Sequence, residues 1–402
     1  MSRTRKHKTT EGQTTTQQDI EYTKTRRPSA QHRVPEKQKS FDEKLKKLKK
    51  KKKNKAAKAL KPKTIPSTTE TSNEPMKGLK PSGISNHLLC FMSENATDKM
   101  QMPAEYCTHL VYKDMTLSKQ SHTFVPVKNG TGFDEFMSLR ERFVTTKFVV
   151  SLSAAMVREL LDYTDRDEHS LAAISTQLAK WISQNELNGV AFSGQLITST
   201  RHKSMMTVLK NIQDALRQLG EPKPVLIFSG YASHDQYSQK IMLDRSKDYL
   251  RIVDIFVIET HYHEEEQFCR LVYPSIFVRV DDTPSSIPVK SALLWMEMVK
   301  EDDSLNGTHN MCFSLDMSTM SFDVAANSRP TVGGWCTGRK WLNYGQMCGS
   351  NMWVTPDEDR VALSTSRRKP QTWLSYDSED AIVKKARHLL HATWAIIKMC
   401  HH

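Results

Sequence analysis

No stretch of this chain approaches the roughly 18 consecutive apolar residues that a membrane-crossing helix needs, so no transmembrane segment is expected. Met1 to Ile20 is polar and charged, without the apolar core of a secretory leader, and taken alone fits a cytosolic or nuclear protein. Residues 1–85 also lack what a folded core is made from. They contain one Tyr and one Phe, show no apolar periodicity, and hold 8 acids against 24 Lys and Arg. Such a segment buries too little surface to offset chain entropy and is expected to be a disordered basic tail. Its densest part, Lys44 to Lys63, includes five consecutive lysines, Lys49 to Lys53. A run of this kind suits nuclear import, nucleic acid or an anionic membrane surface, or is simply solvated. The remainder of the chain, with 34 basic and 37 acidic residues, is near neutral.

From about Leu88 onward, short apolar runs alternate with charged, helical stretches. Strands are expected at His87–Met92, Thr108–Tyr112, Lys147–Leu152, Gly189–Phe192, Val225–Phe228, Ile252–Ile258, Ile276–Val280, Met311–Leu315 and Trp394–Ile397. Amphipathic helices are expected at Leu171–Gln184, Met205–Leu219, Val289–Val299 and Asp380–Leu390. This alternation predicts an α/β fold with a parallel sheet inside and helices outside, and the strand count favours a (β/α)8 TIM barrel over 86–402. All seven cysteines lie between Cys90 and Cys400, which allows at most three internal bridges and one free thiol. Asn95, Asn129 and Asn306 each open an Asn-x-Thr sequon, meaningful only in a secretory lumen. The sequons and the polar start therefore point to different compartments, extracellular against nuclear or cytoplasmic.

Several short motifs occur in a telling order. Cys90-Phe-Met is followed by Tyr106-Cys-Thr-His-Leu-Val-Tyr112, then by Leu187-Asn-Gly-Val-Ala-Phe-Ser-Gly-Gln195, Leu342-Asn-Tyr-Gly-Gln-Met-Cys348, Trp373-Leu-Ser-Tyr-Asp377 and Ala392-Thr-Trp394. Together they resemble glycoside hydrolase family 18, the chitinase-like proteins. The resemblance implies a barrel with a shortened α+β insertion between its seventh and eighth strands, and a Cys90–Cys107 bridge formed in an oxidising compartment. It also aligns Leu187–Gln195 with the family's fourth-strand signature, D-G-x-D-x-D-x-E. Asn188 replaces the first Asp, Gly189 is kept, Ala191 and Ser193 replace the next two, and Gln195 replaces the Glu.

In that family the substrate's own N-acetyl oxygen attacks the anomeric carbon. The enzyme then supplies one acid for the leaving oxygen and one carboxylate to balance the charged intermediate. Gln195 cannot deliver a proton at neutral pH and Ser193 carries no charge, so the expectation is a pseudoenzyme. At the sixth strand Glu259, His261 and Tyr262 stand at the family's Met, Tyr and Asp positions, and at the seventh only Phe322 survives. The resemblance names Gln195, His261, Tyr262 and Trp394 as sugar-contacting positions, with Trp394 as the floor under the sugar or, equally, a core aromatic.

Other constellations compete. His261, His263, Glu264–Glu266 and Cys269 resemble metal ligands. A zinc site needs three or four convergent donors, and residues along a strand end alternate faces, so no metal is expected there. No cofactor is implied. Cys107 beside His109 invites a nucleophile–base reading, against which the bridging role of Cys107 weighs. Asp254, Glu259 and Asp316 are carboxylates at or near strand ends, where barrel enzymes keep their catalysts; by the resemblance Asp254 matches a family position with a folding role, which leaves Glu259 as the candidate for relocated chemistry. The expected function is non-hydrolytic binding of chitin or another N-acetylglucosamine glycan. The alternatives are a glycosidase with Glu259 as a relocated acid, or an interaction protein acting through its basic tail.

Overall fold

The computed structural model describes residues 87–92, 106–128, 131–220, 222–233, 235–263, 269–279, 286–300, 310–316, 319–325, 330–342, 357–359, 364–369, 371–390 and 397–400. The basic tail, the asparagines of the three sequons and Trp394 lie outside these residues.

Strands run in chain order as β1 (Leu89–Met92), β2 (His109–Leu117), β3 (Phe124–Pro126), β4 (Lys147–Leu152), β5 (Gly189–Leu196), β6 (Val225–Tyr231), β7 (Ile255–Ile258) and β8 (Asn310–Asp316). An excursion of five short strands follows, and then the last barrel strand, Ile397–Cys400. β3 is antiparallel to β2; every other pairing in this sheet is parallel. β1 pairs with β2 on one side and with Ile397–Cys400 on the other, which closes eight parallel strands into a barrel.

The sequence builds this closure from strands apolar on both faces. Alternate residues Leu89, Phe91, Val111, Val149, Ala191, Ile227, Ile255, Val257 and Cys312 fill the interior. Their neighbours Val150, Val190, Phe192, Phe228 and Phe256 face outward into the layer under the helices. Gly189 is required by close approach, because a Cβ there would land on the Val225 carbonyl of the adjoining strand.

The outer helices are α1 (Gly132–Arg142), α2 (Ala154–Arg166), α3 (Glu168–Gln184), α4 (His202–Arg217), α5 (Gln236–Leu250), α6 (Val289–Lys300) and α7 (Glu379–Leu390). Their starts follow from side chains that satisfy otherwise orphaned amides. Ser153 accepts from Met156 N, Asp167 from Ser170 N and Asp235 from Ser238 N. In α4 the buried Met205, Val208, Leu209, Ile212 and Leu216 recur every three to four residues and form the stripe laid on the barrel. Among the described residues no helix is long and apolar enough to cross a membrane.

One expected strand requires correction. Residues 276–279 form no strand: Pro274 has no amide to donate, and the Ile276 and Phe277 carbonyls accept from Val289 and Lys290 at the start of α6. Of the expected last strand, Trp394–Ile397, only Ile397 lies within the described residues, and it opens the strand Ile397–Cys400.

The expected strand Met311–Leu315 falls within β8, and the stretch running on to Phe322, which the resemblance assigns to the same strand, divides after Asp316. Its second half opens the insertion, a five-stranded antiparallel sheet of β9 (Thr319–Asp323), β10 (Gly338–Leu342), β11 (Asp357–Asp359), β12 (Ser364–Lys369) and β13 (Thr372–Tyr376), in the order β10-β9-β13-β12-β11. Ile397–Cys400 is then β14. Met320, Phe322 and Trp373 of the insertion pack with Leu271, Val272 and Tyr273 of the segment between β7 and α6 in one core, and a Cys269–Cys336 disulfide ties that segment to the insertion. Phe322 is thus a core residue of the insertion rather than part of a barrel strand.

Candidate functional site

At the N-terminal end of the barrel, polar side chains serve the backbone. Asn188 Oδ1 accepts from Phe148 N at 2.7 Å, and Asp254 accepts from Leu226 N at 2.8 Å and Lys223 Nζ at 2.9 Å. Asp254 precedes β7, so it lies at the opposite end from the expected catalytic face and supports the fold. Cys107 is bonded to Cys90, with Cα atoms 5.9 Å apart, so it is no nucleophile in this state. His109, 1% exposed, has its pKa lowered to about 3, chiefly by burial and further by His87 and Lys147; at neutral pH it is uncharged.

The C-terminal mouth differs in kind. On β5, Ala191 is part of the apolar interior, and Ser193 Oγ lies 2.7 Å from Ser151 Oγ on β4. The register with β6 slips between Phe192 and Gln195, where Gly194 takes φ 65°. Gln195 is 8% exposed, and its Nε2 turns back to donate to the Ser193 carbonyl at 2.8 Å. The four signature positions therefore present no carboxylate and no solvent-facing acid.

One acid at the mouth is Glu259, one residue past β7 and 1% exposed. Its Oε1 accepts from Gly194 N at 3.0 Å and from the Ser229 hydroxyl. Beyond it the chain continues extended, and residues two apart on such a segment share a face. Glu259, His261 and His263 consequently converge, one potential donor atom from each lying within 4.8 Å of the others. The expectation that strand alternation separates these ligands is therefore corrected. Alternation separates neighbours, and it sends Thr260 and Tyr262 the other way.

Thr260 bonds to Ser314 of β8, and Tyr262, 2% exposed, joins the core of the insertion with its hydroxyl accepting from Arg339 at 3.1 Å. The structure thus brings Glu259 and His261 to the mouth beside Gly194, and directs Tyr262 into the frame. Asp316 is wholly buried at the end of β8.

Two interactions were not expected from the sequence. One is Trp335, 62% exposed on the insertion, with the Arg270 guanidinium 4.2 Å from its ring centroid. Its position next to Cys336 is the only sequence signal for it. The other is a buried network: Lys385 Nζ donates to Asp377 at 2.6 Å and to Ser275 Oγ at 2.8 Å, while Ser364 donates to Asp377 at 3.0 Å. Burial lowers the Lys385 pKa, and Asp377 works against that shift. Ser275 pairs with His261 in an isolated bridge, so this network supports the segment behind the mouth.

No protein-family model matches the chain, and no curated protein matches it in sequence. Solved structures do. An N-acetylglucosaminidase of glycoside hydrolase family 18 from Paenibacillus barengoltzii superimposes with a TM-score of 0.60 at 14% identity, over 78% of this chain and 94% of that one. A chitinase-like agglutinin from Robinia pseudoacacia gives 0.61 at 11%, over 78% and 94%. YKL-39, solved in the presence of chitooligosaccharides, gives 0.62 at 13%, over 78% and 92%. The chain has the glycoside hydrolase family 18 fold. That fold is shared by chitinases and by chitinase-like agglutinins, so the residues of the mouth, and not the fold, bear on activity.

Proposed function

We propose that this chain is a catalytically degenerate glycoside hydrolase family 18 protein that binds N-acetylglucosamine-containing glycans without hydrolysing them, its barrel unit spanning 86–402. Gln195 carries the reading. It stands where the family's acid stands, and its amide nitrogen is engaged with the Ser193 carbonyl. Loss of general acid catalysis alone forfeits about 10² to 10⁴ in rate, and Ser193 offers no charge to an acetamido intermediate. Glycan binding is supported by the similar structures: a mutant Cycas revoluta chitinase with a Glu-to-Gln replacement is described in complex with (GlcNAc)4. The exposed Trp335 ring is an aromatic surface of the kind sugars stack on. The two disulfides favour an oxidising, extracellular compartment.

The test is incubation with a fluorogenic chitobioside and, separately, with chitin beads. The expected result is no fluorophore release, with retention on chitin weakened in Trp335→Ala. A second reading, a glycosidase with Glu259 as relocated acid, is favoured by the place of that carboxylate beside Gly194. Turnover that disappears in Glu259→Gln would establish it and overturn the first. Any binding to nucleic acid or anionic lipid is assigned to the tail, 1–85, and should vanish when the tail is deleted.

A further inference from the structure

We propose that Glu259, His261 and His263 form a binding site for a divalent transition-metal ion of the zinc class at the C-terminal mouth of the barrel. Two imidazoles and one carboxylate are a donor set that zinc takes, with a fourth position left for water or a ligand oxygen. Donors about 2.0–2.1 Å from a tetrahedral zinc lie about 3.4 Å from one another. Here Glu259 Oε2 is 3.6 Å from His261 Nε2 and 2.6 Å from His263 Nε2, distances that bracket that spacing. The shorter approach lacks hydrogen-bond geometry at His263 Nε2. The two rings lie 4.3 Å apart between centroids, close enough to share one ion.

Each donor is also held from behind, as metal ligands are. Glu259 Oε1 accepts from Gly194 N and Ser229 Oγ, which turns Oε2 toward the histidines. His261 Nδ1 lies 2.5 Å from Ser314 Oγ; a metal at Nε2 selects the tautomer in which Nδ1–H donates to that hydroxyl. The His263 ring stacks on Tyr231 at 3.9 Å with an interplanar angle of 10°. Groups on three strands, β5, β6 and β8, thus fix three donors before any ion arrives. His263 is the most accessible of them, its side chain 18% exposed, and gives the ion a route from solvent.

The full chain, stripped with a chelator and dialysed against Zn²⁺, is expected to retain one zinc per chain by elemental analysis. His263→Ala and Glu259→Gln should each lose it, and Ser314→Ala should bind about 10-fold more weakly. A variant with both His401 and His402 replaced by Ala should keep it. Each variant is compared first in its chelated state by thermal melting; if Glu259→Gln does not fold, His263→Ala decides. Failure of the wild type to retain zinc, or retention by a folded ligand variant, overturns the site. So does a thiolate-to-metal charge-transfer band after Co²⁺ loading, since no cysteine belongs to it. Sugar enters none of these measurements, so they stand or fall apart from glycan binding.

Discussion

The two ends of the barrel use polar side chains for different work. At the N-terminal end Asn188, Asp254, Thr146 and Thr108 each bond to backbone of a neighbouring strand or loop. At the C-terminal mouth Ser151 meets Ser193, and Glu259 meets two histidines. The first end carries the fold, and its residues have one function each. The second end is built from side chains facing one another, so its chemistry can change while the barrel stays closed around the interior of Leu89, Phe91, Val149 and Val257.

The support behind the mouth gives the largest test of that contrast. Lys385→Met leaves Asp377 buried without its cation and should cost about 3–5 kcal/mol in denaturant unfolding. Recovery of most of that loss in an Asp377→Leu, Lys385→Met double variant would show that the pair itself adds little net stability and that the loss comes from the unpaired buried charge.

The N-terminal end should respond to acid. Folded His109 takes up its proton only near pH 3, whereas the unfolded chain does so near 6.5. The unfolded state therefore binds more protons within that window, and stability is lost as pH falls from about 6.5 toward 3. The slope attributable to this residue is about 1.4 kcal/mol per pH unit. His109→Gln should flatten the pH dependence of the urea midpoint; an unchanged profile would remove His109 as the cause.

A smaller effect is expected at Asn188. Substitution by Ala leaves Phe148 N without its acceptor, at a cost of about 1–3 kcal/mol, and should leave zinc content and chitin retention as they were. A change in either would break the separation of the two ends. The smallest expected effect is none. Gln195→Glu returns an acid to the signature but no charge partner at Ser193, so chitobioside turnover should stay at background; measurable hydrolysis would mean that degeneracy rests on one atom.

The barrel was legible in the sequence because its strands are apolar on both faces, and runs such as Phe148–Val150 and Leu226–Phe228 admit little else. The helices α3 and α4 were legible from their one-sided apolar stripes. α5 was not, since it buries Gln239 and Ser246 alongside Met242 and Leu243. The insertion's β12, Ser-Thr-Ser-Arg-Arg-Lys, has no apolar alternation at all and is ordered by pairing with β13.

At the mouth, the loss of carboxylates around Gln195 could be read directly. The convergence of Glu259, His261 and His263 could not, because it depends on the chain staying extended beyond β7, a state fixed by Thr260 and His261 bonding to Ser314. The folding role that the resemblance implies for Asp254 agrees with its bonds to Leu226 N and Lys223 Nζ just ahead of β7.

The extended segment 259–263 also has a consequence for how this protein can vary. Odd positions point to the mouth and even positions to the frame, so substitutions act on one side at a time. Deleting or adding a single residue there would exchange the two sets, putting Tyr262 into the mouth and a histidine into the insertion's core. The segment is therefore open to spelling changes and closed to changes of length.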